Sequence, residues 1–204
     1  MNAPLWIPSP ERAAAAHLTH FIAQANDRHG LSIADYDGLH RWSIDEPGDF
    51  WSLVWDYVGV VGAKGEGPYL DDPDALPGAR WFPQARLNFA ENLLRRRDEG
   101  LALVSLREDG LRRTVSFAEL HAMTARLAQA MQAAGVGVGD RVAGYMPNIP
   151  EAVAAMLATT ALGAIWTCVA PEYGVSAAVD RLGQVAPKLL ISADGYLFGG
   201  KSHD

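Results

Sequence analysis

Residues 139–192, GDRVAGYMPNIPEAVAAMLATTALGAIWTCVAPEYGVSAAVDRLGQVAPKLLIS, decide the fold. The apolar run Arg141–Met146 reads as a strand, and Pro150 then opens a helix that continues to about Leu162. Ala164–Val169 reads as a second strand. A helix from about Ser176 to Val185 follows, then Pro187 and a last strand, Lys188–Ile191. Strands that alternate with helices need crossover connections, so this half predicts an α/β fold with a partial parallel sheet of βαβ units covered by helices. Ala152–Ala170 runs nineteen residues without a charge, long enough to span a bilayer on length alone. It is rich in alanine, however, and holds Thr159, Thr160 and Thr167, while Gly163 splits it into a helix-length half and a β-branched half. A buried helix leading into a buried strand explains it, and no membrane partner is expected.

Immediately upstream, Ala102–Leu106 and Arg112–Val115 predict a hairpin around Glu108, Asp109 and Gly110. Ser116 and Glu119 form an S-x-x-E capping box for a helix whose apolar face carries Leu120, Met123, Leu127, Met131 and Ala134, up to Gly135. Before residue 98 the pattern is different and predicts a helical amino-terminal extension with a long loop. Ser9 and Pro10 open an amphipathic helix that presents Leu18, Phe21, Ile22 and Ala25 and ends at Gly30. Another helix follows Asp45, Glu46 and Pro47, with an aromatic stripe through Phe50, Trp51, Val54 and Val58 expected to face a core. Five glycines and four prolines in the 28 residues from Gly59 to Arg86 predict an ordered loop. A short helix near Leu87–Arg95 closes the extension, its Arg95–Arg97 end suiting the negative pole of the helix dipole. The expected organisation is an extension over residues 1–98 and incomplete βαβ units over 99–204.

With 204 residues, 49% hydrophobic and 20% charged, the chain is long enough for a sizeable core and too apolar for disorder. Its net charge of −7 offers no footprint for nucleic acid. The single cysteine, Cys168, lies in an apolar run and reads as a buried thiol of a cytoplasmic protein. No secretory signal is read at the amino terminus. Oligomeric state is left open by composition.

Three motifs invite a catalytic reading, and each yields to a structural one. Gly195–Ser202 satisfies the phosphate-binding pattern G-x-x-x-x-G-K-[ST] after a predicted strand. No helix is predicted after it, and Tyr196, Leu197 and Phe198 are bulky for a loop that wraps phosphate. Gly135, Gly137 and Gly139 leave a helix and enter a strand, the reverse of the dinucleotide fingerprint, so they read as cap and turn. His17 and His20 could share a helix face, but no Cys, Asp or Glu cluster joins them, and no metal site is expected.

The order and spacing of four longer segments say more. They are Tyr36–Ser43 with Phe50–Trp51; Trp81–Leu94, which reads WFPQARLNFAENLL; Gly139–Ala152 with Ala155–Ala158; and Gly163–Trp166 continuing through Asp180–Arg181, Pro187–Lys188 and Asp194–Lys201. Together they resemble the amino-terminal part of acyl-CoA synthetases of the adenylate-forming superfamily, most closely the acetoacetyl type. Trp166 stands where acetyl-type members tend to carry His. The sequence departs from the acetoacetyl pattern at Ala170–Gly174, where S-P-D-F-G is usual, and at Leu182, where Phe is usual. The resemblance implies a ligase in which ATP and Mg2+ activate a short acyl acid such as acetoacetate as its adenylate, and coenzyme A then displaces AMP. In such ligases the ATP-handling motifs lie downstream of the matched region, so no catalytic residue is expected in this chain and it is not expected to be active alone. The resemblance implies one wall of a coenzyme A site, with Ala170, Pro171, Glu172, Phe198 and Lys201 as candidates. An acetyl- or propionyl-type ligase and a non-catalytic coenzyme A-binding or interaction module are the alternatives.

Overall fold

A computed structural model describes residues 5–204, which form two compact units, one reaching to Arg86 and the other running from Leu87 to Asp204. In the first unit, helices α1 (Pro10–Ala14), α2 (His17–His29), α3 (Tyr36–Asp45) and α4 (Pro47–Tyr57) precede three two-residue strands, β1 (Gly62–Ala63), β2 (Leu70–Asp71) and β3 (Arg80–Trp81). The single helix expected from Ser9 to Gly30 is two, because Ala16 turns to extended backbone at φ −72° and ψ 140°. Both expected ends hold. The Ser9 hydroxyl accepts from the Arg12 amide, and Gly30 closes α2 at φ 65°, a left-handed conformation that suits glycine. Helix α3 was not anticipated. Its amino end is fixed by the Asp35 carboxylate, which accepts from the Gly38 amide at 2.9 Å, and it buries Leu39 and Trp42 with Phe21, Ala25 and Leu53. The aromatic stripe expected on α4 is offset: Leu53 is buried and Phe50 and Val54 pack on that core, but Trp51 and Val58 are exposed.

Strand β4 (Arg86–Leu87) lies at the division of the two units, and α5 (Phe89–Leu93) follows it in the second. Ala90 is fully buried with Ala154 and Leu157, and the Asn88 amide donates to the carbonyls of Thr160 and Ala161 at 3.1 and 3.2 Å. The arginine triplet lies beyond the end of α5. Arg96 pairs with Asp98 at 2.7 Å and lies 4.1 Å over the Phe117 ring. Its hydrogen bond, followed by the Gly100 amide, holds the Asp98 carboxyl down at about 2.

The hairpin of β5 (Leu101–Leu106) and β6 (Arg112–Ser116) leads into α6 (Phe117–Ala133), capped by the expected reciprocal Ser116–Glu119 box. Next come β7 (Arg141–Tyr145), α7 (Pro150–Ala161), β8 (Ile165–Val169), a 3-10 turn at Pro171–Tyr173, α8 (Gly174–Gly183) and β9 (Leu189–Ser192). The three strands form a parallel sheet in the order β8-β7-β9. Val142 and Ala143 are both fully buried, on opposite faces, which explains the near-continuous apolar runs. On one face Val142 packs with Met131 of α6 and with Ala155 and Ala158 of α7. On the other, Ala143 packs with Ala178 and Leu182 of α8. No helix among the described residues is long and apolar enough to cross a membrane.

Cys168, expected to be buried, is exposed. It lies near the carboxyl end of an edge strand and pairs with Gly144, which has no side chain to fill the sheet face beside it. The Trp166 indole occupies the space instead: a Cβ on Gly144 would stand 2.6 and 2.7 Å from two of its ring carbons. At the amino ends of the strands, Lys188 donates to Asp140 at 2.8 Å and to the Gly135 carbonyl at 2.5 Å, and Arg141 donates to the carbonyls of Val185 and Ala186. Gly135 and Gly139, at φ 81° and 79°, form the cap and turn read from the sequence.

Two predictions follow from this sheet. Gly144→Ala should displace the Trp166 ring and lower unfolding stability by about 1–3 kcal/mol, as overpacking of a buried site does, and a denaturant titration checks it. A variant as stable as the parent would mean the ring moves freely. Asp140 titrates below the usual carboxylate range because Lys188 and then the Gly137 amide hydrogen-bond its charged form. A carboxyl lowered in the folded state contributes stability above its unfolded pKa, and that contribution is lost as pH falls through the folded value, below about pH 4. Lys188→Met should raise the Asp140 midpoint in a carboxyl-carbon NMR titration and shrink the acid-side stability loss.

Candidate functional site

In an open parallel sheet, ligands bind outside the carboxyl ends of the strands, at the point where successive connections go to opposite sides. Here the chain leaves β7 for β8 through α7 on one face, then crosses through α8 on the other face to reach β9. The switch point therefore lies between β7 and β9. A cleft of about 700 Å³ occupies that place. One wall is the loop after β7, Pro147-Asn148-Ile149, with Pro150 and Glu151 from the first turn of α7. The opposite wall is Asp194 and Gly195 after β9, with Tyr196, Leu197 and Ser202 from the terminal hairpin of β10 (Tyr196–Phe198) and β11 (Lys201–His203). The β5–β6 hairpin supplies the third side through Ser105, Arg107, Glu108 and Arg113.

Charge in the cleft is mostly paired. Arg113 and Glu151 form an ion pair at 2.5 Å that ties the β5–β6 hairpin to α7. Partial burial raises the Glu151 carboxyl, but the Arg113 hydrogen bond, the backbone and the Arg113 charge together leave it below its ordinary value. Arg107 is tied to Asp109 at 2.7 Å. Tyr196 stacks on His203 with ring centroids 5.0 Å apart. No three His, Cys, Asp or Glu side chains among the described residues are grouped to hold a metal ion.

The five candidate ligand residues fall into two places. Ala170, Pro171 and Glu172 follow β8 in the 3-10 turn, where the Tyr145 hydroxyl donates to the Pro171 carbonyl at 3.0 Å; Pro171 is buried and Glu172 exposed. Arg181 lies 4.4 Å over the Tyr173 ring and supports this turn. Phe198 and Lys201 are register partners in the terminal hairpin, both exposed, and neither lines the cleft, whereas their neighbours Leu197 and Ser202 do. The phosphate-loop pattern is thus a β-hairpin. Gly199 and Gly200 form its two-residue turn at φ 61° and 72°, the left-handed pair that such turns require. Their amides donate to the two carboxylate oxygens of Glu108 at 3.3 and 2.9 Å. Sequence reasoning singled out neither Glu108 nor the Arg113–Glu151 pair as site residues. The loops after β7 and β9 could have been found from strand order, but a contact across 91 residues leaves no local pattern.

Comparison with known proteins agrees with this architecture. A family model for the AMP-binding enzymes matches residues 89–201, and one for the acetyl-coenzyme A synthetase N-terminus matches residues 36–93. The acetoacetyl-coenzyme A synthetase of Rhizobium meliloti (strain 1021) is 48% identical over 201 residues, covering 98% of this chain and 31% of that protein. The malonamoyl-CoA synthetase vrtB of Penicillium aethiopicum is 40% identical over 190 residues, 90% of this chain and 26% of that protein. Among solved structures, acetoacetyl-CoA synthetase from Streptomyces lividans superposes with a TM-score of 0.89 at 45% identity, over 100% of this chain and 32% of its own. The chain thus spans about a third of the length of these relatives. Its AMP-binding match covers more than half of its residues, and the chain belongs to the AMP-binding enzyme family.

Proposed function

We propose that this chain is the amino-terminal part of an ATP-dependent ligase that joins a short 3-oxo acid, acetoacetate first, to coenzyme A. The observation that carries this reading is the agreement in sequence and fold, along the whole chain, with proteins named acetoacetyl-CoA synthetases. The malonamoyl-CoA synthetase at 40% identity fits the same substrate class, since acetoacetate and malonamate both carry a carbonyl on the carbon next to the carboxymethylene. In the overall reaction, a carboxylate oxygen of the acid bonds to the α-phosphorus of ATP and pyrophosphate leaves. The coenzyme A thiol sulfur then bonds to the acyl carbon and AMP leaves.

The described residues provide no metal cluster, so no step is assigned to Mg2+ in this chain. The terminal hairpin does fit an anionic ligand, because the Gly199 and Gly200 amides already hold a carboxylate. A phosphate oxygen offers them the same acceptor chemistry. Lys201 is then a point charge for a coenzyme A phosphate, Phe198 an apolar face beside it, and Ala170, Pro171 and Glu172 the second strip of the wall.

The first test is the mass of the native product in its source cells, detected with an antibody to this segment. A band several times larger than 22.0 kDa is expected. The purified native product should release pyrophosphate in the presence of acetoacetate and consume coenzyme A. Release with acetate or propionate alone would overturn the acid assignment, and coenzyme A binding without any turnover would favour a non-catalytic module. In the same protein Lys201→Ala should raise KM for coenzyme A about 5- to 10-fold with little change in kcat, as loss of one solvent-exposed hydrogen bond would. Lys201→Arg should keep most of the affinity.

A further inference from the structure

The Gly199–Gly200 turn is not an idle loop end. Adjacent amides in a left-handed glycine pair point to one side, a geometry that collects an anion. The anion here belongs to the chain itself. Glu108 comes from the tip of the β5–β6 hairpin, 91 positions away from Gly199, and presents one oxygen to each amide. Its turn is built to offer that carboxylate: neighbouring Arg107 is occupied by Asp109, and Asp109 also accepts from the Leu111 amide at 3.1 Å. Glu108 is left to reach outward. Both the carboxylate and the glycine amides are exposed, so water competes for the contact and a second anion can enter from solvent.

The contact also joins two sides of the cleft. Ser105–Glu108 line it from the β5–β6 hairpin, and Tyr196, Leu197 and Ser202 line it from the terminal hairpin. The Glu108 carboxylate therefore bridges the two hairpin tips above the switch point.

We propose that Glu108 is a displaceable latch, an internal carboxylate that occupies the Gly199–Gly200 amides until a phosphate group of the ligand replaces it and releases the hairpins from each other. The proposal rests on reading the terminal hairpin as a coenzyme A contact. It adds that ligand binding at that hairpin is opposed by the protein's own side chain. Displacement forms and breaks hydrogen bonds only. Two amides pass from a carboxylate to a phosphate, and the freed carboxylate goes to water.

The test uses the native product of the proposed function, labelled with 15N, together with its Glu108→Gln and Glu108→Ala variants, whose folding a matching amide spectrum checks directly. The Gly199 and Gly200 amide protons should move upfield in Glu108→Ala, since a charged acceptor is removed, and less in Glu108→Gln, which keeps a carbonyl acceptor. Inorganic phosphate and coenzyme A are then titrated. Both should bind Glu108→Ala about 3- to 10-fold more tightly than the parent, the range expected when one competing hydrogen-bonded contact is deleted. In the parent, saturating coenzyme A should sharpen the signals of the β5–β6 tip towards those of a free turn. Unchanged glycine amides in Glu108→Ala would overturn the latch, because the carboxylate would not be on them. Altered amides with equal affinities for parent and variant would overturn the competition while leaving the coenzyme A reading intact. Altered amides with no binding of either probe to either protein would overturn the coenzyme A reading, and the competition with it.

Discussion

A parallel strand cannot be joined to its neighbour by a tight turn, and the chain meets that constraint twice around β7. The first crossover carries α7 over the Val142 face and the second carries α8 over the Ala143 face, so the central strand is buried on both sides. With β7 in the middle, its two neighbours are reached in opposite directions, and the loops after β7 and β9 diverge at their carboxyl ends. The cleft is the space they leave. Its walls are thus a consequence of strand order, and the polar groups along it are added by hairpins whose own pairing is independent of the sheet.

Much of this was legible in the sequence because it is local or periodic. The strand and helix limits from Arg141 to Ser192 follow from apolar runs, prolines and glycines, and the Ser116–Glu119 box marks the start of α6 with two side chains three residues apart. Helix α3 was not legible for the opposite reason. Gly38 sits in its first turn, and Leu39 and Trp42 are its only buried side chains, so the apolar signal is too short for a period while the decisive Asp35 cap looks like one more loop residue. The stripe on α4 misled in direction, since Trp51 and Val58 are apolar yet point away from the core that Leu53 enters. The Cys168 exposure goes with the place of β8 at the edge of the sheet, and no reading of the β8 segment by itself contains the strand order.

The site was less legible than the fold. Resemblance pointed to Ala170, Pro171, Glu172, Phe198 and Lys201, and the structure puts the first three beside the end of β8 and the last two at the hairpin tip. Composition cannot show that Arg113 reaches Glu151, or that Arg107 is spent on Asp109. The first pair is fixed only when the β5–β6 hairpin is laid next to α7, the second by the hairpin's own turn, and both decide which charges remain for a ligand.

The pattern G-x-x-x-x-G-K-[ST] shows the same lesson at the level of backbone chemistry. In a phosphate loop, amides converge because the glycines lead into a helix, whose first free N–H groups add to the nest. Here the same residue types lead into β11, and Gly199 and Gly200 take the two left-handed positions of a hairpin turn. What the two structures share is a short run of amides offered to an anion, made possible because glycine accepts positive φ. What differs is how many amides converge and what else supplies charge. Two amides suffice for a carboxylate, as Glu108 demonstrates, and a phosphate would need further help, of which Lys201 is the nearest cationic residue in sequence. The anion preference of this segment therefore survives the loss of its apparent motif, because it resides in the glycine amides and not in the fold that the motif usually announces.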